Sequence, residues 1–459
     1  MKTVPVKTFL LIFGANVLEN FARSEEFYNS GPLFLSPYIL QGRIQEARRD
    51  SKVNNKIKCS KNIESYSGYL TVNFNYNSNL FFWFFPAETK QQNAPLVLFL
   101  NGGPGEPSTS EVFLNGPLKF NKNGDVDFRE KSHSWTSTQS IIYLDSPVGT
   151  GFSFTDDPKG YSQNNEEVVD NIYLAFMQFL QIFYEYKDVP FYIVGLSYGG
   201  KFATALAQRI DQANSAGPFY LPLKGLLLLN PLLDPVIQSR LAHAHYNFGL
   251  YDENTRIILE NFEEVLAELV KTNEIPMAAK LMDEMYGIHF NTTSIFHQKS
   301  GYKSIYEGLL DPDISSERFT PRDLIQQNKI RNEIHAGDLA FSSNSPTVIL
   351  ALLGDLFSSV STTLGYLLAS GEYKIWIVNC QLDLLLPPSN IDTVLKNLAW
   401  AGYNDFFNAE QSVWRSEGQI AGYCKQCGHF TRVILRLAGH TPYFDVPQWT
   451  AEILGKFLH

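Results

Sequence analysis

Six short apolar runs, each halted by a glycine, proline or asparagine just beyond it, constrain this chain more than any other feature. Leu96 to Leu100 runs into Asn101-Gly102-Gly103-Pro104-Gly105, Ile141 to Leu144 into Asp145-Ser146-Pro147-Val148-Gly149, and Phe191 to Val194 into Gly195-Leu196-Ser197-Tyr198-Gly199-Gly200. Leu226 to Leu229, Ile375 to Val378 and Arg432 to Leu437 repeat the pattern. Such runs read as strands buried on both faces, as in a mainly parallel sheet. Between them lie helical periods, the clearest starting near Asn165 and setting Val168, Ile172, Phe176, Phe179 and Phe183 on one stripe. Strands alternating with helices make an α/β fold. Tyr66 to Val72 and Leu80 to Phe85 are predicted to pair antiparallel at the sheet's start. From Pro235 to Ser345 the strand rhythm is lost and helical spacing takes over, as in Ile257-Leu259-Phe262-Val265-Leu266-Leu269. Residues 235–345 are therefore expected to form a helical cap over the sheet's C-terminal edge, inserted between core segments 23–234 and 346–459.

Charge and the N-terminus narrow the function. With 37 basic against 47 acidic side chains and no long basic run, a phosphate-tracking nucleic-acid binder is disfavoured. Lys2 and Lys7 precede an apolar stretch from Phe9 to Leu18, too short for the ~20 residues that span a bilayer. Residues 1–22 read as a secretory signal ending at Ala22, with Asn20 where a small residue is preferred, so the cut position stays open. Delivery is then secreted or lysosomal, with no membrane span, and the Asn291-Thr292-Thr293 sequon becomes a glycosylation site. Cys59, Cys380, Cys424 and Cys427 allow three pairings among which sequence does not choose. Cys424 and Cys427 lack the further ligands of a zinc site and the strand-then-helix context of a redox pair, so a structural disulfide or buried thiols is preferred.

Gly195-Leu196-Ser197-Tyr198-Gly199 fits the G-x-S-x-G nucleophile elbow. Composition alone yields such a match in roughly one chain of this length in six. Its setting adds weight, because a strand precedes it and the helix-compatible run Lys201 to Ile210 follows. A serine hydroxyl needs a base oriented by a carboxylate. In the α/β-hydrolase fold these follow in the order nucleophile, acid, histidine. Asp383, beyond the run ending at Val378, and His440, beyond the run ending at Leu437, satisfy that order. Gly102 and Gly103 allow close backbone approach, and the amide of Tyr198 is the second oxyanion donor of this design. A phosphate loop at Asn101 to Gly105 fails its own pattern, which requires Gly-Lys-Ser/Thr. This chemistry needs no metal or organic cofactor.

Several blocks in order resemble the serine carboxypeptidases, in particular their vitellogenic-like branch. They are Tyr66 to Val72, Leu80 to Pro86, Asn101 to Gly105, Asp145 to Phe154, Gln381-Leu382-Asp383 and Ala438-Gly439-His440. The resemblance implies an α/β-hydrolase that removes C-terminal residues from peptides or proteins. It implies a Ser197, Asp383, His440 triad, an oxyanion hole from the amides of Gly103 and Tyr198, and contacts from Asn101 and Gly102 to the substrate's terminal carboxylate. The departures are Leu196 and Leu114, where the family carries the two glutamates of its carboxylate-binding network, together with Glu106 for a cysteine and Thr441 for a methionine. A paired loss of glutamates turns a polar anchor into an apolar wall. It opens two alternatives, a triad-bearing esterase, amidase or acyltransferase and a non-catalytic secreted protein. Asp145 is read as a loop-fixing residue, and His243 and His245 as surface or packing residues rather than metal ligands.

Overall fold

The computed structural model describes residues 31–53, 63–91, 93–217, 219–289, 293–306, 321–398 and 400–459. The proposed signal (residues 1–22), Cys59 and Asn291 lie outside the described residues. Twelve strands are formed among the described residues: β1 Tyr66–Asn73, β2 Ser78–Phe85, β3 Leu96–Leu100, β4 Leu118–Phe120, β5 Val126–Phe128, β6 Ser140–Asp145, β7 Phe191–Leu196, β8 Leu223–Leu229, β9 Lys374–Cys380, β10 Gln411–Ser416, β11 Gln419–Cys427 and β12 Phe430–Leu435. Ten of them make one sheet in the order β1-β2-β6-β3-β7-β8-β9-β12-β11-β10, while β4 and β5 pair separately.

The six apolar runs supply the six central strands, β6-β3-β7-β8-β9-β12, whose five contacts are all parallel. Period-two alternation explains why they are apolar throughout. Leu96, Leu98 and Leu100 enter one core while Val97 and Phe99 enter the other, on the opposite face. The first core is closed by two helices, α1 Asn165–Ile182 and α2 Gly199–Ala216. Val168, Ile172, Phe176 and Phe179 of α1 are buried, as is Phe183 just beyond it, and the side chain of Asn164 caps its start by accepting from the Glu167 N–H at 2.9 Å. The helix Pro447–Leu458 packs Ile453, Leu454 and Phe457 into the second core.

The predicted hairpin is present: β1 and β2 pair antiparallel from Tyr66 with Phe84 to Asn73 with Ser78. Between β8 and β9 the described residues form helices and loops, among them α3 Glu253–Lys271 and α4 Ile275–Tyr286, and no named strand. Ile257 and Val265 point outward from α3 while Leu259 and Leu266 are buried, because only one stripe of that helix meets α4. The stretch around residues 334–342 is fastened to the sheet's first edge. The hydroxyl of Ser67 donates to the Ile334 carbonyl at 2.6 Å, that of Tyr69 to the Ala336 carbonyl at 2.9 Å, and Gly151 bridges Ser342. Cys424 and Cys427 lie within β11 as free thiols, which three-residue spacing on a strand directs to opposite faces. No helix among the described residues is long and apolar enough to cross a membrane.

Candidate active site

Parallel strands bring their C-terminal ends to one edge of the sheet, and the loops there build the site. β7 ends at Leu196 and the next residue, Ser197, holds φ at 58°, in the left-handed region. That turn needs neighbours without side chains. A Cβ on Gly102 would stand 2.7 Å from the Ser197 Cβ and 2.8 Å from the Tyr198 nitrogen, and one on Gly199 would stand 2.3 Å from the Leu100 carbonyl oxygen. The bend is held by the Ser197 N–H donating to the Leu229 carbonyl at 3.0 Å and the Leu232 N–H donating to the Ser197 carbonyl at 2.9 Å.

Asp383 and His440 meet from the ends of β9 and β12. Asp383 is fully buried, and its Oδ2 accepts from His440 Nδ1 at 2.8 Å. Its Oδ1 accepts the N–H groups of Leu385 and Leu386, both at 2.9 Å. An acceptor at Nδ1 places the ring proton there and leaves the lone pair of His440 on Nε2. Asn230, after β8, ties the two loops together. Its side-chain amide donates to the carbonyls of Gly439 and His440 at 3.2 and 2.9 Å, and its Oδ1 accepts the Cys380 N–H at 2.8 Å. Its own φ of 39° is one an asparagine tolerates.

Ser197, Tyr198, Gly103, Asn101 and His440 line one cavity of about 990 Å³, together with Leu114 and Leu196. Neither Gly103 nor Tyr198 gives its backbone N–H to a protein acceptor among the described residues. The Gly102 backbone packs directly on the Ser197–Tyr198 peptide: a Cβ there would stand 2.8 Å from the Tyr198 nitrogen. Beneath them Lys201, wholly buried on α2, donates to Asp355 Oδ2 at 2.8 Å, Ser358 at 2.7 Å and the Tyr198 hydroxyl at 3.2 Å.

Asn101 and Gly102 are turned inward. The Asn101 side-chain amide donates to the Pro107 carbonyl at 2.9 Å and to Glu111 Oε1 at 3.0 Å, and its Oδ1 accepts the Gly102 N–H at 2.8 Å. Sequence reasoning missed Glu111. Its other oxygen accepts from the Tyr443 hydroxyl at 2.7 Å, and burial pushes its carboxyl up to about 7, opposed by Arg322 and by the Tyr443 and Asn101 hydrogen bonds. Arg322, also missed, lines the cavity and pairs with Glu106 Oε2 at 3.1 Å. Neither belongs to a motif, and the only signal was an acid ten residues beyond Asn101.

Asp145 fixes loops, as expected: its oxygens accept from the N–H and hydroxyl of Thr109, both at 2.9 Å, and from the Phe152 N–H at 3.0 Å. His245 is buried between the Tyr251 hydroxyl at 3.0 Å and the Leu384 carbonyl at 2.7 Å, while His243 is at the surface. Among the described residues no cluster of His, Cys, Asp and Glu is arranged to hold a metal ion.

The sequence profile of the serine carboxypeptidases matches residues 56–459. The chain belongs to the serine carboxypeptidase family. It is 36% identical over 430 residues to the venom serine carboxypeptidase of Apis mellifera, covering 93% of this chain and 91% of that protein. It is 34% identical to the vitellogenic carboxypeptidase of Aedes aegypti, covering 93% of this chain and 90% of that one. The fold is shared with Kex1(Δ)p, a prohormone-processing carboxypeptidase of Saccharomyces cerevisiae. The TM-score is 0.74 at 20% identity, covering 89% of this chain and 96% of that one. Membership makes the protein a serine carboxypeptidase, a proteolytic hydrolase acting on peptides.

Proposed function

We propose that Ser197, His440 and Asp383 carry out this hydrolysis as nucleophile, base and orienting carboxylate, releasing the C-terminal residue of a peptide through an acyl-enzyme. The observation that carries this reading is the 2.8 Å contact between buried Asp383 and His440, in the cavity that also holds the Ser197 elbow. His440 Nε2 takes the Ser197 proton as Oγ adds to the last peptide carbonyl. The amides of Gly103 and Tyr198 receive the oxyanion. The proton passes from His440 to the departing amine, which leaves as the C-terminal amino acid. Water then gives its proton to His440 and its oxygen to the acyl carbon. A second collapse returns the proton to Ser197 and frees the shortened peptide.

The names of the relatives favour this reaction over an esterase, amidase or acyltransferase. A secreted or lysosomal site of action is proposed with it, in keeping with the venom origin that one relative's name states. Ser197→Ala should abolish hydrolysis of N-blocked dipeptides and labelling by a fluorophosphonate, and activity at the wild-type level would overturn the assignment.

A further inference from the structure

The family's two anchoring glutamates are Leu114 and Leu196 here, and both leucines line the cavity. The remaining anchors are committed elsewhere, since both amide hydrogens of Asn101 and the N–H of Gly102 are bonded within the protein. A terminal carboxylate arriving beside Ser197 must find other donors or leave its charge without hydrogen bonds.

We infer that Arg322, braced by Glu106, receives the substrate's terminal carboxylate. A guanidinium has five N–H donors in a planar fork that fits a carboxylate in two-point contact. Arg322 keeps 39% of its side-chain surface open, whereas its partner Glu106 keeps 16%. The pair is attached to the reacting centre from two sides. The Glu106 N–H donates to the Gly102 carbonyl at 3.1 Å, and Gly102 is the residue packed on Ser197. On the other side the Tyr306 ring lies edge-on to His440 at 5.3 Å, and Tyr306 feels the charges of both Glu106 and Arg322. Glu106 balances the cation in the free enzyme and fixes the head group. The terminal carboxylate would then meet the open donors while its neighbouring carbonyl lies at Ser197.

The inference rests on the carboxypeptidase reading, and the test separates the two. An N-blocked dipeptide acid and its C-terminal amide are compared on wild type, Arg322→Met, Arg322→Lys and Lys119→Met, the last removing another cation of the cavity wall. Wild type should prefer the acid. Arg322→Met should raise KM for the acid about 10- to 100-fold, the loss of charged hydrogen bonds, while leaving kcat and the amide's KM nearly unchanged. Arg322→Lys should fall between, and Lys119→Met should match wild type. Wild type indifferent to acid and amide would overturn both readings. An acid preference that survives Arg322→Met, or that vanishes in Lys119→Met instead, would overturn the role of Arg322 alone. Fluorophosphonate labelling of Ser197 at the wild-type rate certifies each variant's fold. Should Arg322→Met not label, Arg322→Lys decides: a raised KM confined to the acid supports the assignment, and none overturns it.

Discussion

Glu111→Gln isolates the energetic consequence of burying a carboxyl behind Asn101. In the folded chain burial pushes this carboxyl up to about 7 from an ordinary value of 4.5. Between those values the folded state holds a proton that the unfolded state has released, so stability is fully present below pH 4.5 and falls as pH rises to 7. At about 1.4 kcal/mol per pH unit the loss amounts to about 3 kcal/mol. The bonding pattern accommodates the neutral form, because the Tyr443 hydroxyl now donating to Oε2 can equally accept from it. Glutamine keeps the volume and removes the titration, at the expense of roughly 1 kcal/mol for one mismatched hydrogen bond. The variant should therefore be slightly less stable than wild type at pH 4.5 and more stable by roughly 2 kcal/mol at pH 7.5. Urea unfolding midpoints across that range measure the crossover. Wild type should still lose stability faster than the variant, which retains the slope of Asp145, another carboxyl that burial pushes up to about 7. Parallel pH profiles for the two proteins would refute the reasoning.

Asp383→Asn should lower kcat by about four orders of magnitude with little change in thermal stability, because the asparagine amide favours the wrong tautomer of His440; steady-state kinetics and calorimetry together check this. Gly102→Ala should cut the fluorophosphonate labelling rate severely, since the new methyl would stand 2.7 Å from the Ser197 Cβ and displace the elbow or the oxyanion loop. Lys201→Met strands Asp355, which is only 15% exposed, and should cost about 3–5 kcal/mol, read as a lowered unfolding midpoint.

What the sequence made legible follows from where the constraints are local. A strand buried on both faces must be apolar at every position, so β3, β6, β7, β8, β9 and β12 stood out as runs. The proposed nucleophile elbow needs glycines within two residues of Ser197, and the order of the proposed triad needs only the ends of β7, β9 and β12. β10 escaped notice because it is an edge strand whose residues, Val413 and Arg415 among them, are largely exposed and mixed in polarity. Glu111 and Arg322 escaped for a different reason. Their effect depends on a meeting between residues far apart in the chain, which no spacing rule encodes.

The leucines at positions 114 and 196 and the acids at positions 106 and 111 are best understood as one arrangement. Leu114 follows the single helical turn Thr109–Phe113 that carries Glu111, so both sit on the cavity's wall within three residues of each other. Glutamates at 114 and 196 added to Glu106 and Glu111 would put four carboxyls around one guanidinium, and each would raise the others' proton affinity. With leucine at both positions the count falls to two acids against Arg322. Glu106 is held in the ion pair, and Glu111 is satisfied by Asn101 and Tyr443 while burial favours its neutral form. With Lys119, Lys122, Arg129 and Lys303 also on its wall, the cavity is then net positive at acidic pH, the condition under which a terminal carboxylate can enter it. Loss of the glutamate pair is thus compatible with retained selectivity for free C-termini, provided that the cation supplied between β8 and β9 stays in place.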